Sequence, residues 1–242
     1  MSGLDPHLLL RGYAAGIFPM ADSRHAGDIF WVEPRARAIL PLDRFRLSRS
    51  LAKRVRSDRF RISVDTAFHQ VVLACAERHE TWINSTIERA TLGLHAAGHA
   101  HSVEVWHGDA LVGGLYGVKL GGAFFGESMF SRERDASKVA LAWLIARLRA
   151  GRFSLLDCQF MTDHLASLGA EVVPRDTYVA LLGSALGTDS VGVASGTASS
   201  LATGADFFAL DRLVGDAADA GAAGAASGAP GHFIVQLLGQ TS

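Results

Sequence analysis

Three polar side chains close two apolar runs, and their types suit work on an amine. Gly121-Gly122-Ala123-Phe124-Phe125 leads into Gly126-Glu127-Ser128-Met129-Phe130-Ser131-Arg132, and Leu155-Leu156 leads into Asp157-Cys158-Gln159. Two strands ending in Glu127 and in Asp157 with Gln159 suggest one shared polar site. Positions two apart in a strand share a face, so Asp157 and Gln159 are expected to point one way and Cys158 the other. A carboxylate beside an amide can accept, donate and pass a hydrogen bond to a reacting amine. A plainer alternative is that Asp157 caps a backbone turn and Glu127 pairs with Arg132. On these residues alone that alternative ranks first.

Other chemistries find less support. Phosphate-cradling Gly-x-x-x-x-Gly-Lys-Ser/Thr and strand-borne Gly-x-Gly-x-x-Gly patterns are missing. Among ten histidines, His95, His99 and His101 come closest to metal-ligand spacing, but Gly98 breaks the helix between them, so surface histidines are expected. Two cysteines, Cys75 and Cys158, cannot build a disulfide framework or a metal cluster. Ser128 lacks a Gly-x-Ser-x-Gly elbow and is a weak nucleophile candidate. Trp82 lies between helices, where its ring either joins the core or stacks on a base. Met129, Leu141, Leu144, Leu148 and Leu156 read as core, although a pocket for a large apolar side chain needs the same residues.

The elements that must carry these residues follow from periodicity. Asp5-Pro6 opens a helix that Gly16 stops. Phe18-Pro19 is extended, and Ile29 to Val32 completes a small N-terminal unit. Ala38-Ile39-Leu40 is a short strand, and Ser48 caps a basic helix to about Arg56. Phe60 to Val64 is a strand, with Asp65 set to cap the next helix. Ser85-Thr86-Ile87-Glu88 forms a capping box for a helix ended by Gly98. The period then changes to two over His101–Trp106, Ala110–Val118 and Ala123–Met129, an antiparallel meander. An amphipathic helix from about Asp135 to Gly151, a strand over Phe153–Cys158, a short helix capped by Thr162, a Val172-Val173 strand and a helix from Asp176 follow. The expected fold class is α/β (α+β), by analogy an acetyltransferase-like (GNAT) domain in which an acyl donor sits between splayed strands. The expected divisions are a small N-terminal domain (1–34), a catalytic domain (35–186), an Ala/Gly/Ser-rich flexible excursion (187–231) interrupted by Phe207 to Leu210, and a C-terminal strand-like segment (232–242) returning to the sheet.

Composition narrows the class. Hydrophobic residues at 49% and charged residues at 19% describe a globular protein. No apolar run reaches the roughly 18 residues of a membrane span, and a reducing cytoplasm is the expected location. Net charge is −1, yet ten basic residues fall between Arg35 and Arg61 against only Asp43 and Asp58. Such segregation favours a polyanionic partner over a merely solvated helix face.

Several stretches together resemble bacterial leucyl/phenylalanyl-tRNA–protein transferases. They are Tyr13-Ala14-Ala15-Gly16-Ile17-Phe18-Pro19, Trp31-x-x-Pro34-Arg35-Ala36, Thr81-Trp82-Ile83, His99 to Trp106, Leu111 to Gly117, Phe125 to Ser131, Ala136-Ser137-Lys138, Asp157-Cys158-Gln159 and His164 to Ala170. The resemblance runs from about Leu8 to Leu182, and the final Gln236 to Ser242 is similar to the ending of shorter alphaproteobacterial-type members. It implies transfer of Leu or Phe, less often Met, from aminoacyl-tRNA to proteins with N-terminal Arg or Lys, creating a degradation signal. It also implies a small N-terminal domain on an acetyltransferase-like domain, with no metal and no coenzyme A. By position, Glu127, Asp157 and Gln159 fall on the family's catalytic acid, acid and amide. Leu115, Met129, Leu141, Leu144, Leu148 and Leu156 fall on its amino-acid pocket, and Trp82 on the ring that stacks on the terminal adenine. Met20 stands where many members carry Trp.

Exchange of an ester for an amide needs a placed, neutral amine and no energy source. The expected roles are Asp157 as the base, directly or through Gln159, and Glu127 as a holder of the incoming N-terminus or ribose. A proton transfer assisted by the ribose fits the residues equally well. Arg49, Lys53 and Arg54 on the basic helix are the expected tRNA contacts. Two rivals remain. A coenzyme A-dependent N-acetyltransferase would want glycines where Arg132-Glu133-Arg134-Asp135-Ala136-Ser137 stands. A non-enzymatic RNA- or N-terminus-binding adaptor would leave Asp157 and Gln159 idle.

Overall fold

A computed structural model describes residues 4–78, 80–187, 204–221 and 230–239, with backbone alone for 216–221. The chain enters through helix α1 (Pro6–Ala14), where the Asp5 side chain accepts from the His7 N–H at 2.9 Å. Strands β1 (Phe18–Met20) and β2 (Phe30–Val32) pair into a two-stranded sheet. Gly12 is required here, because a Cβ would lie 2.3 Å from the Trp31 ring.

The main body continues with β3 (Ala36–Ile39), α2 (Arg49–Arg56), β4 (Arg61–Val64), α3 (Phe68–Ala76) and α4 (Ser85–Ala96). The meander follows as β5 (Ala100–His107), β6 (Ala110–Leu120) and β7 (Ala123–Ser131). Next come α5 (Ala136–Ala150), β8 (Leu155–Gln159), α6 (Asp163–Ser167), β9 (Glu171–Pro174), α7 (Arg175–Leu186), α8 (Ala209–Gly221) and α9 (Pro230–Gly239). Seven strands form one sheet in the order β4-β5-β6-β7-β8-β3-β9. Every neighbouring pair is antiparallel except β7 with β8.

Apolar side chains cover both faces. Leu51 and Val55 of α2, the α5 residues Leu141, Leu144 and Leu148, Phe207, Leu210 and the α9 residues Ile234 and Leu238 pack on one face. Leu9 and Tyr13 of α1, Val71 and Val72 of α3, Ile87 and Leu94 of α4 and Tyr178 and Leu182 of α7 pack on the other. The architecture is a mixed α/β sandwich with helices on both sides of the sheet.

Four local expectations are corrected. Asp65 does not cap α3; its backbone is left-handed (φ 58°), and its carboxylate accepts from the Ser102 N–H at 2.8 Å and bonds His101 Nδ1 at 2.7 Å. His101 is therefore buried, 3% exposed, rather than a surface histidine. The cap of α4 is Asn84, whose Oδ1 accepts from Thr86 and Ile87 N–H, while Glu88 turns to Arg24 and His69. The segment over 232–238 is helical, not a returning strand. Pro230 starts α9 at the first helical position, and Gly231, Ile234 and Leu238 recur at helical spacing on its buried side. Gly231 lets α9 approach α2, since a Cβ there would meet the Val55 carbonyl at 2.1 Å. Most of the expected 187–231 excursion (188–203 and 222–229) lies outside the described residues, and between those gaps Phe207 and Leu210 anchor α8 to the core.

Candidate active site

Two neighbouring strands stop pairing at the place where the polar residues begin. The β7–β8 ladder runs Ala123–Leu155, Phe124–Leu156 and Phe125–Asp157, and goes no further. β7 carries a bulge against β6: Gly117 faces Gly126 and Tyr116 faces Ser128, leaving Glu127 as the extra residue. Phe125 and Phe130 thus share one face although five positions apart, while Phe124 and Met129 share the other. A one-residue bulge re-aims side chains in this way. β8 bulges against β3 as well. Ala38 faces Gln159 and Ile39 faces Asp157, so Cys158 is the extra residue, and Gln159 takes a left-handed φ of 61°.

The two irregularities bring Glu127 and Gln159 together. Gln159 Nε2 donates to Glu127 Oε1 at 2.9 Å, and the Tyr13 hydroxyl donates to the same oxygen at 2.9 Å. Glu127 is 9% exposed. Burial pushes its pKa up to about 7. The Tyr13 bond opposes that rise, the Asp157 charge adds to it, and Arg37 and Gln159 pull the other way. Tyr13 itself is pushed well above the ordinary tyrosine value by burial and by the Glu127 charge, so its hydroxyl stays a donor.

Asp157 occupies a different position from the one expected. It is 0% exposed and does not line the cavity. Arg37 Nε donates to both its oxygens at 3.0 Å and Nη2 to Oδ2 at 2.7 Å. The Tyr178 hydroxyl donates to Oδ2 at 2.8 Å, and the Gln159 N–H to Oδ1 at 2.7 Å. Arg37 lies between the Phe18 and Tyr178 rings, 4.4 and 4.7 Å from their centroids. The expected common face for Asp157 and Gln159 fails because the bulge and the left-handed Gln159 break alternation. Asp157 holds the Gln159 main chain, and Gln159 presents the amide.

Glu127 and Gln159 line a cavity of about 630 Å³ whose remaining wall is mostly apolar. Trp82, Leu115, Met129, Leu141, Leu144 and Leu156 all line it. Leu148 does not; it stays in the core at 0% exposure. Glu127 does not pair with Arg132, which bonds Glu77 at 2.7 Å on the cavity rim. Arg49, Lys53 and Arg54 lie away from the cavity on α2 and form no ion pair among the described residues. Arg37, Arg44 and Arg59 of the basic segment are taken by Asp157, Glu171 and Glu133.

Tyr13, Arg37, Tyr178, Phe160 and His164 were not singled out from the sequence. Arg37 had a signal: an arginine in the apolar run Ala36 to Leu40 needs a buried carboxylate partner. Phe160, 47% exposed on the cavity rim, packs edge-on against Phe18 with centroids 5.7 Å apart. Met20 is not part of the cavity lining.

Among the described residues, no cluster of three or more His, Cys, Asp and Glu is placed to hold a metal. No described helix is long and apolar enough to cross a membrane.

The family model for leucyl/phenylalanyl-tRNA protein transferase matches residues 39–183, and that for the same family's N-terminal domain matches residues 3–35. A leucyl/phenylalanyl-tRNA–protein transferase of Rhizorhabdus wittichii is 61% identical over 251 aligned positions, covering all of both chains. One of Novosphingobium aromaticivorans is 48% identical, again over all of both chains. One of Zymomonas mobilis is 60% identical over 76% of this chain and 70% of its own. Among solved structures, L-PGS from Bacillus licheniformis gives a TM-score of 0.39 at 12% identity over 61% of this chain and 49% of its own, too slight a likeness to bear on the fold or the site. The chain belongs to the leucyl/phenylalanyl-tRNA–protein transferase family.

Proposed function

We propose that the protein moves Leu or Phe, less often Met, from aminoacyl-tRNA to the N-terminal Arg or Lys of acceptor proteins in the cytoplasm, generating a degradation signal. One observation carries the mechanism: a carboxyl with a pKa near 7 and a carboxamide bond each other at the polar end of an apolar cavity. The cavity volume falls within the usual 300–1,000 Å³ of small-ligand sites. An ester-bound Leu or Phe side chain enters among Met129, Leu141, Leu144 and Leu156, and Trp82 stacks on the terminal adenine.

The acceptor's α-amine, with an ordinary pKa of about 7.7–8.0, is partly neutral at cellular pH. Its nitrogen attacks the ester carbonyl, the C–N bond forms, and the C–O bond to the ribose breaks. Glu127 takes the amine proton and returns it to the departing ribose oxygen. Gln159 orients the amine through its free amide oxygen, held in place by its bond to Glu127. Asp157 is a positioning residue that fixes the Gln159 backbone. This reading moves the base role from Asp157 to Glu127, because the Asp157 oxygens are already occupied by Arg37, Tyr178 and the Gln159 N–H.

The division into an N-terminal domain (1–34) and an acetyltransferase-like (GNAT) domain (35–186) belongs to the same proposal. Its support is the β7–β8 separation, where an acyl donor fits. The coenzyme A reading is disfavoured by Asp135, which puts a carboxylate at the N-terminus of α5, where pyrophosphate would need free N–H groups. The adaptor reading gives Glu127 no reason to be buried with a raised pKa.

Incubation with Leu-tRNA and an Arg-starting peptide tests the proposal. Leucylated peptide formed without coenzyme A is the expected result. Binding without product would leave the adaptor.

A further inference from the structure

Four buried side-chain polar atoms have no hydrogen-bond partner among the described residues: His101 Nε2, Tyr116 Oη, Arg149 Nη2 and His164 Nε2. A closed-off polar atom without a partner costs about 1–3 kcal/mol, so each calls for a cause. Tyr116 and His164 belong to residues that line the candidate active-site cavity. Tyr116 is 1% exposed, with its ring edge-on to Phe68 in the opposite core. His164 sits on α6, five residues beyond Gln159 and next to Leu165, which lines the same cavity.

The surroundings of His164 restrict what it can bind. Burial first, and the Lys138 cation second, lower its pKa, which favours the neutral ring. Lys138, whose ammonium lies 3.9 Å from the Asp135 carboxylate, still adds positive charge near the ring and favours an uncharged partner over the donor's α-ammonium. A neutral imidazole nitrogen accepts in one tautomer and donates in the other. A hydroxyl satisfies either state, because it both donates and accepts. Leu and Phe side chains bring no hydroxyl, and the terminal ribose does.

We propose that His164 Nε2 hydrogen-bonds the 2′-hydroxyl of the terminal ribose and so positions the ester in the cavity. The inference rests on the aminoacyl-tRNA reading and adds a sugar contact to it. His164 is a binding and positioning residue here, and it takes no proton from the amine.

The test compares 3′-leucyl-adenosine with its 2′-deoxy counterpart as donors to an Arg-starting peptide, using wild type, His164→Ala and His164→Gln. Wild type should favour the ribo donor by roughly tenfold in kcat/KM, a typical value for one hydrogen bond to a buried group. His164→Ala should lose that factor on the ribo donor alone, mainly through KM, so the two donors become equivalent. His164→Gln, which can still donate and accept, should restore most of the preference. Melting temperatures should stay within a few degrees. Retained ribo preference in His164→Ala would overturn the proposal, as would equal losses on both donors, which mark a structural role. If wild type transfers from neither donor, the transferase reading falls first and this contact with it.

Discussion

Glu127 and Gln159 lie 32 positions apart in sequence and meet at 2.9 Å just past the point where their strands stop pairing. Each reaches the meeting place through a backbone irregularity: Glu127 is a bulge residue, and Gln159 has a left-handed φ next to one. Regular strands would have carried both side chains to the face that Phe125 occupies, away from Leu156 and the α5 leucines of the cavity wall.

Replacing Glu127 by Gln keeps the acceptor oxygen for Tyr13 and Gln159 but removes the proposed base. Turnover should fall by about 10²–10⁴-fold, with donor KM changing little. The wild-type rate should rise with pH through about 7, following ionisation of Glu127, and the variant should lose that limb. A Glu127→Gln enzyme with wild-type turnover would remove Glu127 from the chemistry.

The same carboxyl links folding to pH. Its pKa is raised in the folded state, so it contributes stability at low pH that is lost as pH rises through about 7. Glu127→Gln should therefore gain on wild type between pH 4 and pH 8, by an amount on the order of 3 kcal/mol. Denaturant midpoints at the two pH values measure it. A difference between the proteins that stays constant across that range would contradict the raised pKa.

Asp157→Asn tests the scaffold role. Arg37, itself 1% exposed, would keep its charge without its counterion, at a cost of roughly 3–5 kcal/mol. Arg37→Met added to Asp157→Asn should recover part of the loss. Wild-type stability in Asp157→Asn together with abolished turnover would return Asp157 to the role of base.

Binding of the tRNA body should depend on α2. Reversing Arg49, Lys53 and Arg54 to Glu should weaken tRNA binding and flatten its salt dependence, by roughly 0.7–0.9 in log–log slope for each phosphate no longer neutralised. Aminoacyl-adenosine analogues, which reach only the cavity, should react as before. Equal losses on both substrates would count against that assignment.

Trp82→Ala should weaken an aminoacyl-adenosine donor by about 1–3 kcal/mol, the value of one base stacked on an aromatic ring. Competition binding measures it, and an unchanged affinity would place Trp82 in the cavity wall without a stacking role.

The meander β5–β7 and the helix α5 were legible because each is a run of eight residues or more set off by turn residues such as Gly108-Asp109, Gly121-Gly122 and Gly151. Most of the apolar cavity wall was legible only through the resemblance to the family, since the pattern alone reads the same residues as core. The arrangement of Asp157 was not, because two bulges and one left-handed residue leave no mark on a pattern of residue types. Asp65 and Ser85 failed as caps because tertiary partners claimed one and an adjacent asparagine bettered the other. The Phe233 to Leu238 run mixes β-branched, aromatic and aliphatic residues, and packing on α2 and α5 decided it in favour of a helix.

The Tyr13–Glu127 bond spans 114 positions and joins the first helix to the middle of the sheet. The ionisation of the Glu127 carboxyl is thus partly set by a segment that lies outside the seven-stranded sheet. A chain with that segment clipped or undocked would expose Glu127 to water and let it revert toward an ordinary acid. If Glu127 is the base, docking of the first helix is thus an assembly checkpoint, because it sets the pH range over which that base works.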